Sequence, residues 1–247
     1  MRSLNGLSAV VTGASLGIGR AVAISLAREG CRVALVARNL EGLEETASKM
    51  NGMGVIVQAD LSKNSSIQSA VQSIASQLGQ VDIVWNGAFG WLDGKFEDAS
   101  ISDIGDLIDS SVRGPLLLTR ELMPLLLKSP SPHIINVAAD WEFPATEGLA
   151  TFIAAKRAIA GFGIALQKEG DGRLRITNLH PADVASKDGG DVDETAASVS
   201  ARSSGALVSL QELTQIVIFI LKLEGAIVHG ITIKPLRQSI AHTYIQT

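Results

Sequence analysis

One cysteine and one tyrosine in 247 residues remove several architectures and chemistries at the outset. Cys31 has no partner in the chain, so no disulfide framework holds the fold, and a reducing compartment suits it. Charged residues make up only 19% of the chain and apolar ones 46%, the reverse of a disordered composition. No basic block is present. The balance is 21 Lys+Arg against 25 Asp+Glu, a formal charge of −4, which argues against nucleic acid as the main partner. No apolar run approaches the roughly 18 residues of a membrane span, so no membrane partner is expected. No His/Cys/Asp cluster has metal-ligand spacing, and no metal is expected. The opening, Met1-Arg2-Ser3-Leu4-Asn5-Gly6, runs directly into Ala9-Val10-Val11. That reads as a first strand rather than a signal peptide, which makes a cytoplasmic location the default.

What the chain does have is a steady alternation. Short β-branched runs fall at residues 9–11, 32–37, 55–57, 81–84, 134–137, 176–179 and 231–233. Between them, segments 17–29, 40–50, 65–78, 101–127, 150–169 and 210–223 carry apolar residues at helical spacing. Strands separated by helices imply crossover units and a parallel sheet with helices on both faces. The pattern predicts one doubly wound α/β domain over residues 1–247. Two stretches are longer than simple connections, 86–100 and 181–206. Both leave strand carboxyl ends, where open α/β sheets bind ligands. Residues 181–206 read equally as a lid-like loop or as a solvated insertion. After them, Ser209 and Glu212 have the spacing of a capping box ahead of an apolar run.

Thr12-Gly13-Ala14-Ser15-Leu16-Gly17-Ile18-Gly19 stands between the first strand and the first helix. Glycines there permit a tight turn and close backbone approach to a pyrophosphate, and the helix start offers free N–H groups and a positive dipole end. With this spacing the chain resembles the short-chain dehydrogenases/reductases over about residues 4–238. Asp60-Leu61 stands at the end of the third strand, where that family holds adenine. Lys156 lies on the helix of the family's Tyr-x-x-x-Lys, and His180-Pro181-Ala182 resembles its Pro-Gly after the sixth strand. The resemblance implies a Rossmann-like fold with a seven-stranded parallel sheet. It also implies a dinucleotide held by Gly13, Ser15, Leu16, Gly17, Ile18, Gly19, Asp60, Leu61, Asn86, Gly87, Ala88, Lys156, Pro181 and Val184.

Charge at the end of the second strand distinguishes the two dinucleotides. An acidic residue there accepts from the ribose 2′-OH of NAD. This chain has Ala37 followed by Arg38, and a guanidinium pairs with a 2′-phosphate that a carboxylate would repel. NADP(H) is therefore favoured over NAD(H). Leu16 stands where NADP enzymes of the family often carry a second basic residue.

The family moves hydride to or from a carbonyl carbon, with a Tyr giving or taking the proton, a Ser holding the carbonyl and an Asn supporting a water relay. Counting back four from Lys156 places Phe152 in the Tyr position. Ala139 stands in the Ser position and Ser111 in the Asn position. Only Lys156 remains, and the sole tyrosine is Tyr244 in the tail formed by 236–247. The usual proton path is missing from this sequence.

Asp140 follows immediately and is the candidate replacement: an Asp beside an apolar pocket can hold a proton or face a substrate cation. A plain solvated or capping carboxylate is the competing reading. Phe89, Trp91, Trp141 and Phe152, with His180, are the candidate substrate-pocket residues, and aromatic faces suit a cationic nitrogen. Three functions stand open. One is an NADPH-dependent reductase of an iminium or other activated double bond, with Lys156 and Asp140 as its catalytic groups. The second is a dinucleotide-binding protein without turnover, acting as a sensor or partner subunit. The third is a non-redox cyclase or isomerase. The family resemblance also implies a homodimer or homotetramer, paired through helices 101–127 and 150–169.

Overall fold

The computed structural model describes residues 1–139, 147–185, 205 and 207–237. Strands β1 (Ser8–Thr12), β2 (Arg32–Ala37), β3 (Gly54–Gln58), β4 (Ile83–Asn86), β5 (His133–Val137), β6 (Arg175–Pro181) and β7 (Gly230–Ile233) form one sheet. Its order is β3-β2-β1-β4-β5-β6-β7, and every neighbouring pair is parallel. Parallel neighbours need crossovers, which the helices supply. These are α1 (Gly17–Arg28), α2 (Leu40–Ser48), α3 (Asn64–Leu78), α4 (Ile101–Ile108), α5 (Gly114–Leu126), α6 (Ala150–Glu169) and α7 (Leu210–Lys222). The result is the Rossmann-like doubly wound fold.

Strand periodicity divides the core in two. Ala9, Val11, Val33, Leu35, Ile83 and Trp85 face α1, α2 and α7, where Val22, Leu26, Leu43, Leu213 and Val217 meet them. The alternate residues Val10, Ala34, Val36 and Val84 face α3 and α5 through Ile67, Ile74, Leu118 and Leu122. A strand covered on both sides must be apolar at every position, which explains the unbroken runs. Ser209 caps α7 as its spacing predicts: its hydroxyl accepts from Glu212 N at 3.1 Å, and Glu212 Oε2 accepts from Ser209 N at 3.1 Å. Cys31 is buried, and burial, with help from the Glu29 and Asp82 charges, pushes its thiol up to about 12, so it is not a nucleophile.

Most elements end within two residues of the sequence expectation, and three differences bear on the site. The fourth strand pairs over Ile83–Asn86, two residues later than the apolar run 81–84, because Val81 N bonds Leu125 O and Asp82 accepts from Ser8 N. Segment 101–127 is not one regular helix. Asp109–Arg113 form a π-helical turn between α4 and α5, a widening that recurs at functional sites. Asp60 lies beyond β3, which ends at Gln58. Of the long 181–206 segment, the described part begins inside β6 and continues through a bridge between Val184 and Val208; its middle lies outside the described residues. Among the described residues, no helix is long and apolar enough to cross a membrane.

Strand order reverses between β1 and β4. Chain leaving those two strands parts in opposite directions, and a crevice opens at their carboxyl ends.

Candidate functional site

The crevice has a volume of about 390 Å³ and is lined by the turn after β1, the chain following β2 and β3, and Gly87, Ala88 and Phe89 after β4. Its floor is the glycine turn. Gly13 has φ +72°, and a Cβ there would press on the Gly87 carbonyl at 3.0 Å; a Cβ on Gly19 would strike the Gly13 carbonyl. Glycine is required at both places because backbone occupies the space of a side chain. Helix α1 begins after Leu16, whose side chain gives no cap. Its first N–H groups and dipole therefore face the crevice without a side-chain acceptor.

Neighbouring hydroxyls and one ion pair hold the turn. Thr12 Oγ1 accepts from Gly87 N and Ala88 N at 3.0 Å each and donates to Trp85 O, tying β1 to the chain leaving β4. Thr46 Oγ1 donates to Ala14 O at 2.9 Å. Buried Arg20 forks onto Glu45 at 2.7 and 2.8 Å and also donates to Ser15 O. Donation from Arg20, then from Lys49, holds the Glu45 carboxyl below its ordinary range. The sequence reading missed Arg20, Glu45 and Thr46. Arg20 lies one residue beyond the glycine motif, but its partner is 25 residues away and on another helix.

Arg38 is exposed on the crevice rim beside Asn39. Asp60 is half-buried on the same wall, accepting from Ser62 N at 3.0 Å and Ser62 Oγ at 2.7 Å. Burial would raise the Asp60 carboxyl, but Ser62's two donations and the Lys63 and Arg38 charges together bring it below the usual value. It stays ionised and acceptor-only at neutral pH. Leu61, Ser15, Leu16, Gly17 and Ile18 line the same walls.

Against Phe89 and Val137 of the crevice wall, but not itself on the lining, stands Lys156, 6% exposed on α6. Its Nζ donates to Val137 O at 3.0 Å and sits 3.9 Å from the Phe89 ring centroid and 5.7 Å from that of Phe152. Burial lowers its pKa from 10.5 to about 7. Phe152 is buried, with Trp91 at 4.7 Å and Phe89 at 6.1 Å between centroids. Three aromatic rings and one amine thus come from β4's following loop and from α6, more than 50 residues apart in sequence. Ser111, on the π-helical turn, accepts from Gly90 N at 2.8 Å, so its hydroxyl anchors the same loop. Ala139 is at the carboxyl end of β5, its carbonyl 2.7 Å from His180 Nδ1.

A scan for family resemblance matches residues 8–196 to the short chain dehydrogenase model. An uncharacterized oxidoreductase of Staphylococcus epidermidis is 36% identical over 174 residues, 70% of this chain and 76% of its own length. The chain belongs to the short-chain dehydrogenase family. A 3-ketoacyl-(acyl-carrier-protein) reductase from Brucella melitensis, complexed with NADH, superposes with TM-score 0.80 at 25% identity, covering 93% of this chain and 98% of its own. An alcohol dehydrogenase from the archaeon Thermococcus sibiricus, complexed with 5-hydroxy-NADP, has TM-score 0.81 at 23% identity and covers 96% of this chain and 99% of its own. At that identity it shows a shared fold.

Not every residue that the short-chain dehydrogenase resemblance singles out meets the crevice. Asn86 turns into the core, where Nδ2 donates to Thr119 Oγ1 at 3.1 Å and Asn136 Oδ1 at 3.0 Å. Asn136 continues to Asn178 at 3.2 Å. These asparagines occupy paired register positions on β4, β5 and β6, forming a buried amide ladder. Pro181 ends β6, and Val184 bridges to Val208 rather than lining the crevice. His180 is buried at 2% exposure and bonded to Ala139 O, joining strand ends. Asp140, Trp141 and Tyr244 lie outside the described residues. Trp85 lines the crevice beneath Gly87, and its indole N–H has no partner among the described residues.

Proposed function

We propose that this chain binds NADP(H) and reduces a cationic carbon–nitrogen double bond. The glycine turn and the uncapped α1 terminus fit a pyrophosphate, since backbone already fills the space where side chains would block it. In this reading Asp60 accepts from an adenine amino group and Arg38 pairs with a 2′-phosphate. Lys156 reaches the ribose hydroxyls next to the nicotinamide. A dinucleotide of the nicotinamide class is also what the Brucella relative carries.

The observation that carries the chemical half is Phe152 in the place of the proton-donating Tyr, packed among Phe89 and Trp91. With Ala139 in the Ser position as well, the two places where the family carries its phenol and its carbonyl-holding hydroxyl offer neither to an alkoxide. A bound reduced nicotinamide supplies a hydride, and an iminium carbon that accepts it becomes a neutral amine needing no proton from the protein. Aromatic faces stabilise the substrate cation before transfer, and Asp140 is the proposed counter-charge. The Phe89 ring over Lys156 favours one further reading, a dinucleotide-binding protein without turnover. Two copies are proposed to pair through α4, α5 and α6, where Ile101 and Ile164 are exposed; a monomer by light scattering at micromolar concentration refutes that pairing.

Titration with NADPH and NADH by fluorescence tests the first half, with tighter NADPH binding expected. A panel of cyclic iminium substrates tests the second. Tight cofactor binding with NADPH oxidation at background across that panel leaves the non-catalytic reading standing and removes the reductase.

A further inference from the structure

Lys156, which the proposed function assigns to the nicotinamide ribose, has its ammonium already engaged. The Phe89 ring lies 3.9 Å from Nζ, and the one hydrogen bond of Nζ among the described residues goes to Val137 O. No carboxylate among the described residues pairs with it. A buried cation with no counter-ion among the described residues draws its stabilisation from whatever negative density is near, and an aromatic face supplies some.

The chain on either side of Phe89 is pinned. Ala88 N donates to Thr12 Oγ1 at 3.0 Å immediately before it, and Gly90 N donates to Ser111 Oγ at 2.8 Å immediately after it. The freedom left to Phe89 is therefore rotation of its side chain. That ring is 45% exposed, whereas Phe152 behind it is 7% exposed, so it can turn toward solvent without opening the core. It also lines the crevice.

We infer that Phe89 competes with the nicotinamide ribose for Lys156, acting as a positioning residue that sets the affinity for the whole dinucleotide. A ligand reaching Lys156 must turn the ring away and replace its contact with the ammonium. A ligand ending at the pyrophosphate leaves ring and lysine together. This rests on the dinucleotide reading given above, and the two are separable because they predict different ligands to respond.

The test is calorimetric titration of the full chain at pH 6, where the Lys156 amine is charged, with NADPH and with adenosine 2′,5′-bisphosphate, in wild type, Phe89→Leu and Phe89→Trp. Leucine keeps the apolar bulk and removes the ring quadrupole, so the half-exposed site still packs. NADPH is expected to bind Phe89→Leu about 2- to 30-fold tighter, the range of one cation–π contact, while the bisphosphate binds all three proteins alike. Phe89→Trp, with the stronger π face, is expected to bind NADPH no tighter than wild type. Unchanged or weaker NADPH binding by Phe89→Leu overturns the inference, and so does an equal gain for both ligands, which would mean general obstruction of the crevice. Failure of NADPH to bind any of the three overturns the dinucleotide reading itself, and the inference with it.

Discussion

Replacing Lys156 by methionine should make the cofactor-free protein more stable at neutral pH, although it deletes a hydrogen bond and a ring contact. Burial displaces this amine from 10.5 to about 7, which at about 1.4 kcal/mol per pH unit is roughly 5 kcal/mol held against the folded state. Against this, Lys156→Met loses the bond to Val137 O, about 1 kcal/mol, and the contact with Phe89, about 0.5–2 kcal/mol. A net gain of about 2–3.5 kcal/mol remains, of the size found when buried ion pairs give way to apolar groups. The pH dependence fixes the cause. Between about 7 and 10.5 the unfolded chain keeps this proton and the native chain does not, so wild-type stability from this group climbs as pH rises through that window. Below it both states are charged and the full penalty is present. The variant's advantage should therefore be greatest at and below pH 7 and shrink toward pH 10. Urea unfolding of both proteins from pH 6.5 to 9.5 measures it, and titrations common to both cancel in the difference. A difference that stays constant with pH, or a variant less stable at pH 7, refutes the reasoning.

Three other substitutions probe the rest of the site and its scaffold. Arg38→Asp should weaken NADPH binding about 10- to 100-fold, the loss of a charge-assisted contact plus repulsion, while NADH changes little; parallel losses for both in fluorescence titration would sink the 2′-phosphate assignment. Phe152→Tyr combined with Ala139→Ser should bring NADPH-dependent reduction of simple carbonyls above the wild-type background, and a flat spectrophotometric assay with cofactor bound would show that more than these two groups is missing. Ser209→Ala should lower stability by about 1 kcal/mol through loss of the α7 cap, read from the urea midpoint.

Local features were legible because they are written at short range. The bounds of α6 and the Ser209–Glu212 box follow from spacing alone, and the glycine turn between a strand and a helix announced the crevice. Other features were not. The π-helical turn at Asp109–Arg113 leaves the apolar pattern unbroken, so nothing in the periodicity marks it. The start of β4 depends on Asp82 accepting from Ser8 N, 74 residues away. Asn86 carries the same amide whether it faces a ligand or the core, and only its register beside Asn136 and Asn178 sends it inward.

The sequence by itself determined the alternation of strands and helices, the glycine-rich turn after the first strand, Arg38 after the second, and Phe152 and Ala139 where the family resemblance expects a phenol and a hydroxyl. Those are matters of residue type and near-neighbour order. The tertiary structure decided what became of the residues left behind. Sheet order lays the loop after β4 against α6, bringing Phe89 onto Lys156 and Ser111 onto Gly90, and it sets Arg20 on Glu45. Such contacts join segments tens of residues apart, and they exist only once chain crossing has excluded water from between them.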